Sequence, residues 1–235
     1  MLELYSMNYL IILSILLINF SASATVINFG YGVHNSSPYI LTDKESNATG
    51  GLLYELAEFV GKEMGVGFKM INTPRTRLED LVRSGTIDIY CNSNRNWIDG
   101  AEDFYWYSGI FVDENLLYTF SEDLRKIKDL QDIKVKVGTI NGFSYHPRIE
   151  KLLKRVGRNE LKSHEKLLRF LELDRGEIIY GSKKIIESQY IGKTRKIYPV
   201  TDFRDRLKYD CIISKKIKFN KDKLFKALEK YKLRK

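Results

Sequence analysis

Asn92, Ser93, Asn94, Arg95, Asn96 and Trp97 stand together: three amides, a hydroxyl, a guanidinium and an indole. That mixture suits a small-molecule pocket, where amides and hydroxyls orient a ligand, a charge selects it and a ring walls it in. The six residues follow Ile87-Asp88-Ile89-Tyr90-Cys91, a short apolar run that reads as a buried strand. In chains of alternating strands and helices, ligands bind where segments leave the carboxyl ends of strands. A solvated loop with a structural Trp has the same composition, and the stretch alone leaves both readings open.

Arg75 and Arg77 follow a second strand through Thr73-Pro74. A guanidinium forks onto a carboxylate with two parallel hydrogen bonds. At least one of Arg75, Arg77 and Arg95 is therefore expected to contact a ligand anion, Arg95 and Arg77 before Arg75. Asn92 and Ser93 offer amide and backbone contacts, with simple turn formation as the alternative. Tyr39 and Trp97 can wall a pocket or pack in a core; Trp106 is expected in the core. Asn141-Gly142-Phe143-Ser144 precedes a helix, and free N–H groups at a helix start bind anions, although an ordinary strand–helix turn reads the same. His34, His146 and His164 show no metal-ligand spacing. His164 is expected on an exposed helix turn and His146 in a turn beside Pro147. No nucleotide loop, nucleophile elbow or redox cysteine pair occurs, so no catalytic residue, metal or cofactor is expected.

The elements that must position these residues can be read from periodicity. Val26–Tyr31 predicts a strand, and 51–64 a helix whose Leu53, Leu56, Val60 and Met64 recur at helical spacing before Gly65. A strand over 66–71, a short helix ending at Gly85 and the strand ending at Cys91 complete a β-α-β-α-β series. Such a series predicts a parallel sheet with right-handed crossovers. Phe104–Phe111 reads as aromatic and irregular, and 115–120 as a strand. The pattern then restarts: a strand over 134–137, a helix over 147–156 with Pro147 in its first turn, and a helix capped by Ser163. A strand over 177–180 and a helix over 182–190 follow. Strand-like 196–199, a strand over 209–214 and a final helix over 221–231 close the chain. Two β/α units of similar size suggest two lobes with a cleft between them.

Composition sets the setting. An apolar run over 9–20, followed by Ser21-Ala22-Ser23-Ala24, has the form of a signal peptide cleaved after residue 24. The segment before it carries no Lys or Arg, so initiation at Met7 and a retained anchor are alternatives. The formal net charge is +9. Residues 25–120 carry seven basic and thirteen acidic side chains, whereas 121–235 carry 32 basic and 16 acidic. A basic half can meet an anionic ligand, membrane or nucleic acid. The Lys residues here are scattered along helices, which reads as a solvated face and speaks against nucleic acid. Cys91 and Cys211 both fall in strand-like runs. An oxidising compartment permits a disulfide between them, and two buried thiols are the alternative that spacing leaves open.

Several of these segments, taken in order, resemble bacterial extracellular solute-binding proteins of family 3, the periplasmic amino-acid-binding type of ABC importers. Pro38-Tyr39 follows the first strand; Gly51-Leu52-Leu53-Tyr54-Glu55-Leu56-Ala57 resembles the family's first helix. The stretch 81–88, ending in Gly85-Thr86-Ile87-Asp88, and Tyr107-Ser108 with Ile110-Phe111 continue the match. Lys136-Val137-Gly138-Thr139 with Gly142-Phe143-Ser144-Tyr145 resembles the start of the second lobe. The likeness runs over 25–235. It implies an α/β, two-lobed type II periplasmic binding fold with two hinge crossovers and a ligand cleft between the lobes. Lobe 1 would hold 25–113 and 201–235, and lobe 2 would hold 114–200.

The resemblance further implies a periplasmic protein that captures a small polar, amino-acid-like or carboxylate ligand by hinge closure, and a monomer that serves an ABC permease. A stand-alone sensor for a membrane signalling partner is the alternative, and a dehydratase-like enzyme a minor one. It places Thr139 and Ser144 towards the cleft, which favours a binding role there. It also puts the strands of Cys91 and Cys211 in one lobe, which implies their disulfide. The chain departs from the family at the amino-acid clamp. The position of the usual carboxylate-binding Arg falls near Gly100-Ala101. Where an Asp would meet the ligand's amino group, the chain reads Gly181-Ser182-Lys183.

Overall fold

The computed structural model describes residues 25–32 and 34–234. The expected signal segment, 1–24, lies outside the described residues. Among the described residues, ten strands and six α-helices build the fold. The chain runs β1 (Val26–Tyr31), β2 (Leu41–Thr42), β3 (Ala48–Gly50), α1 (Leu52–Met64), β4 (Gly67–Asn72), α2 (Leu78–Ser84), β5 (Ile89–Ser93) and β6 (Phe104–Thr119). It continues with β7 (Val137–Ile140), α3 (Pro147–Val156), β8 (Arg158–Leu161), α4 (His164–Glu172), β9 (Ile178–Ser182), α5 (Lys183–Tyr190), β10 (Tyr198–Ser214) and α6 (Lys221–Lys232).

Eight strands join one sheet in the order β4-β1-β5-β10-β6-β9-β7-β8. At one end β1 pairs in parallel with β4 and β5; at the other β7 pairs in parallel with β8 and β9. Between them lie the two long antiparallel strands, β6 and β10, which belong to both ends. Each end has its own apolar core. In the first lobe, Leu53, Leu56 and Val60 of α1 and Leu224 and Leu228 of α6 pack on Ile27, Phe29 and Ile89. In the second, Ile149, Leu152 and Leu153 of α3 pack on Val137 and Ile178, while Leu167 and Leu171 of α4 cover Ile179 on the other side. The two-lobed α/β fold expected from the sequence is the fold observed.

Four points of the local reading need correction or completion. The aromatic stretch 104–111 is the first half of β6. It pairs with β10 from Phe104↔Ser214 onward and is no irregular segment. Strand β8, with Arg158 and Glu160 outward, carries too few apolar residues to reveal itself; charge on an edge strand discourages further pairing. The strand-like segments at 196–199 and 209–214 are one strand, interrupted where pairing jumps from Val200↔Leu117 to Asp205↔Asn115. Thr201 in that bulge has a left-handed φ of 64°. The fourth concerns His164, described with the site.

Cys91 and Cys211 form a disulfide across the β5–β10 pair, the strands' residues lying opposite one another in register. Among the described residues no helix is long and apolar enough to cross a membrane.

Candidate functional site

A cavity opens where the two lobes meet, beside the crossing strands. Its walls come from both lobes. The first lobe contributes His34 and Tyr39 from the β1–β2 connection, Arg75 from the turn after β4, and Tyr90, Asn92 and Ser93 from the end of β5. Trp97 follows, and Tyr209 comes from β10. The second lobe contributes Ile140, Gly142, Phe143, Ser144 and Tyr145 after β7, His164 at the start of α4, and Tyr180, Gly181, Ser182 and Ile185 around the β9–α5 junction.

Three of the expected site residues lie elsewhere. Arg77 is exposed outside the cavity, and the guanidinium of exposed Arg95 sits 5.7 Å from the ring of Trp106. Thr139 is buried inside β7, paired opposite Glu160. The reason is local. Arg75 and Arg77 share a single 3₁₀ turn, where neighbours diverge by about a third of a turn each. In the turn Arg95–Trp97, the Asn94 side chain accepts from the Asn96 N–H, which sends Trp97 to the cleft and leaves Arg95 behind. Trp106 is half-buried and packs against the first lobe's second apolar cluster, with its indole N–H on the Ala101 carbonyl at 2.7 Å.

Arg75 is the formal charge of the wall. It pairs with Glu79 one helical turn on, at the start of α2. Asn92 has a left-handed backbone, φ 84°, rare for residues other than Gly. Its side-chain oxygen is buried without a hydrogen bond to any described residue. A rare backbone conformation and an unsatisfied acceptor thus fall together in one residue of the cavity wall. Next to it, Tyr90 receives the Asn35 amide at 3.2 Å, donates to the Asn92 carbonyl at 3.3 Å and meets His34 Nε2 at 3.3 Å. Burial, and then the Arg75 charge, hold His34 down at about 4, so it is neutral at pH 7.

His164 corrects the fourth expectation. It is 5 % exposed, not on a solvent-facing turn. Ser163 caps α4 by accepting from Lys166 N–H, and the first residue of the helix turns inward beside Phe143 and Gly181. Burial lowers its pKa to about 4. His146 does lie beside Pro147, where its Nδ1 accepts from the Arg148 N–H at 3.2 Å and caps α3. The helix that follows the 141–144 loop thus starts at Pro147, where the sequence placed it.

At the hinge, behind the cavity wall, Asp113 of β6 is 3 % exposed. Its carboxylate accepts from Tyr39 Oη at 3.0 Å, from Ser182 Oγ, from its neighbour Glu114 N at 2.8 Å and from Lys184 N at 3.2 Å. Tyr39 belongs to the first lobe, and Ser182 and Lys184 to the second. Asp205 of β10 similarly accepts from Tyr180 Oη at 2.8 Å. Ile185 of α5 packs into the first lobe's core, and Ser188 Oγ donates to the Ser37 carbonyl at 3.2 Å. Helix α5 is thus a second contact between the lobes, beside the hydrogen bonds to Asp113 and Asp205.

Two large rings face the cleft with open surface: Trp97 (37 % exposed) from the first lobe and Phe143 (40 %) from the second. Trp97 leans on Tyr209, ring centres 5.9 Å apart, and Tyr209 on Tyr39 at 5.7 Å. His34, Tyr90, Tyr145, His164, Tyr180 and Tyr209 were legible in the sequence only as strand, turn or helix residues. The signal that could have found them is their place at strand carboxyl ends and helix starts. Among the described residues no cluster of His, Cys, Asp and Glu could hold a metal ion.

Neither a family model nor a curated protein matches the chain. Solved structures do resemble it. An ancestral arginine-binding protein bound to glutamine shares 17 % identity over 88 % of this chain and 92 % of its own, with a TM-score of 0.69. A Salmonella typhimurium periplasmic binding protein with high arginine specificity shares 17 % over 89 % and 94 %, also at 0.69. An ancestral amino acid-binding protein, precursor of a cyclohexadienyl dehydratase, shares 14 % over 89 % and 88 %, at 0.68. At such identities the likeness is one of fold, and the chain has the fold of these two-lobed binding proteins.

Proposed function

We propose that this chain is an extracytoplasmic solute-binding protein that captures a small polar ligand between its lobes and closes over it. The observation that carries the reading is the cavity at the lobe junction, walled from both sides by groups of the kind that orient a ligand. The solved structures with this fold are described as binding arginine, glutamine or amino acids, which supports capture in preference to catalysis. Residues 25–113 and 201–235 would move against 114–200, as in other hinge closures. Arg75, Asn92, Ser93 and Trp97 on one wall, and Phe143 and Ser144 on the other, would hold the ligand, with Tyr39 behind them. Delivery to a membrane permease fits a protein with an N-terminal signal-like segment.

The test is a thermal-shift screen of amino acids, carboxylates and polyamines, because a solute that binds only the folded state raises its apparent stability. Hits should change the fluorescence of Trp97, and the change should vanish in Trp97→Phe. A screen without hits, or hits untouched by Arg75→Gln and Trp97→Phe, would refute the reading.

A further inference from the structure

The chemistry of the cavity wall narrows the ligand, given that the cleft captures a solute at all. Among the described residues of the wall, none is Asp or Glu, and Arg75 is the formal charge. The nearby hinge carboxylates are already engaged. Asp113 accepts from Tyr39, Ser182 and two backbone N–H groups, and Asp205 from Tyr180. A primary ammonium enclosed here would meet no carboxylate in the wall, because those of Asp113 and Asp205 lie behind the hydroxyls of Tyr39, Ser182 and Tyr180, and burying a charge without a direct partner is costly. It would also share the cavity with the Arg75 guanidinium, whose Nη1 is on Glu79 and whose other N–H groups are left for a ligand.

Besides the Asn92 side-chain oxygen, an acceptor that a ligand hydroxyl can satisfy, two buried donors of the wall are free to serve a ligand. His164 is 5 % exposed and Tyr209 7 % exposed, and neither side chain hydrogen-bonds to any described residue. One comes from each lobe. An imidazole N–H and a phenol O–H donate readily to an anion or to a hydroxyl beside it. Trp97 and Phe143 add two open rings for an apolar body.

We propose that the cleft takes a small monocarboxylate without a primary ammonium group, a 2-hydroxy or deamino acid and not an α-amino acid. Its carboxylate would lie on Arg75, its apolar body between Trp97 and Phe143, and its 2-substituent within reach of Tyr209 and His164.

The test compares matched pairs in calorimetry: lactate with alanine, 2-hydroxy-4-methylpentanoate with leucine, and 3-phenyllactate with phenylalanine. At least one hydroxy acid should bind, and in each pair that binds it should be tighter by about tenfold or more, a difference of about 1.4 kcal/mol. Arg75→Gln should weaken that binding at least about tenfold, with circular dichroism confirming that the variant is folded. An amino acid that binds as tightly as its hydroxy partner overturns the proposal, as does failure of all three hydroxy acids or indifference to Arg75→Gln. If the hydroxy acids fail while another solute contracts the protein in solution scattering, capture stands and the ligand class falls. If no solute does either, both fall.

Discussion

The two walls of the cleft are built differently. The first-lobe wall stands on the ends of β1, β4 and β5, and a disulfide ties β5 to β10 directly beneath it. Among the described residues it carries the one formal charge of the cavity, Arg75, and the strained Asn92. The second-lobe wall is a loop, 141–146, and the first turns of α4 and α5, with exposed Gly142, Phe143 and Ser144. Among the described residues it has no covalent tie and no charge in the cavity. Under the proposed function this contrast is a division of labour, with a stiff wall to fix the ligand's anion and an adaptable one to fold over it. Asp113 links the two, because it accepts hydrogen bonds from both lobes at once.

The largest effect should come from cutting the tie under the first wall. The Cys91–Cys211 bond closes a separation of 120 residues, for which loop entropy gives a stabilisation of about 5 kcal/mol. Urea unfolding of Cys91→Ser/Cys211→Ser should show a loss of that order, and a loss under about 1 kcal/mol would mean that the first wall is stiff without it. Asp113→Ala should cost about 3 kcal/mol, since it strands two hydroxyls and two N–H groups. It should also weaken solute binding. A variant with normal stability would show that the lobes are not coupled through this carboxylate.

Acid should act on both walls. His34 and His164 titrate near 4 in the folded chain, against 6.5 when unfolded. Below 6.5 the unfolded state binds more protons, so stability is full above that pH and falls as pH drops towards 4. The loss should be on the order of 2–3 kcal/mol per imidazole. A pH series of melting temperatures checks this, and His164→Gln should flatten the slope by about half. Smallest should be the binding effects. Arg75→Gln on the stiff wall should cost about 1.5–3 kcal/mol of ligand affinity, and Ser144→Ala on the loop about 0.5–1.5. The reverse order in calorimetry would invert the proposed division.

How much of this was legible in the sequence depended on how regular each segment is. The β-α-β-α-β series of the first lobe could be read because Leu53, Leu56, Val60 and Met64 keep helical spacing and Gly65 and Gly85 mark the stops. The long strands could not. β6 passes from one lobe to the other, so its buried positions do not alternate, and Tyr105-Trp106-Tyr107 resembles a loop. At the site, the polar cluster after β5 was visible as a candidate. The choice among Arg75, Arg77 and Arg95 was not, because it turns on the direction of two single turns. His164 was misplaced because a helix's first turn is ordinarily exposed, yet here it faces a cleft that exists only once two lobes meet.

Small-angle X-ray scattering with and without a solute from the thermal-shift screen tests the central claim most directly. The account predicts that the radius of gyration falls on binding and that Arg75→Gln shifts the transition to higher solute concentration. A solute that binds tightly with no contraction, or that contracts Arg75→Gln at the same concentration, would contradict it.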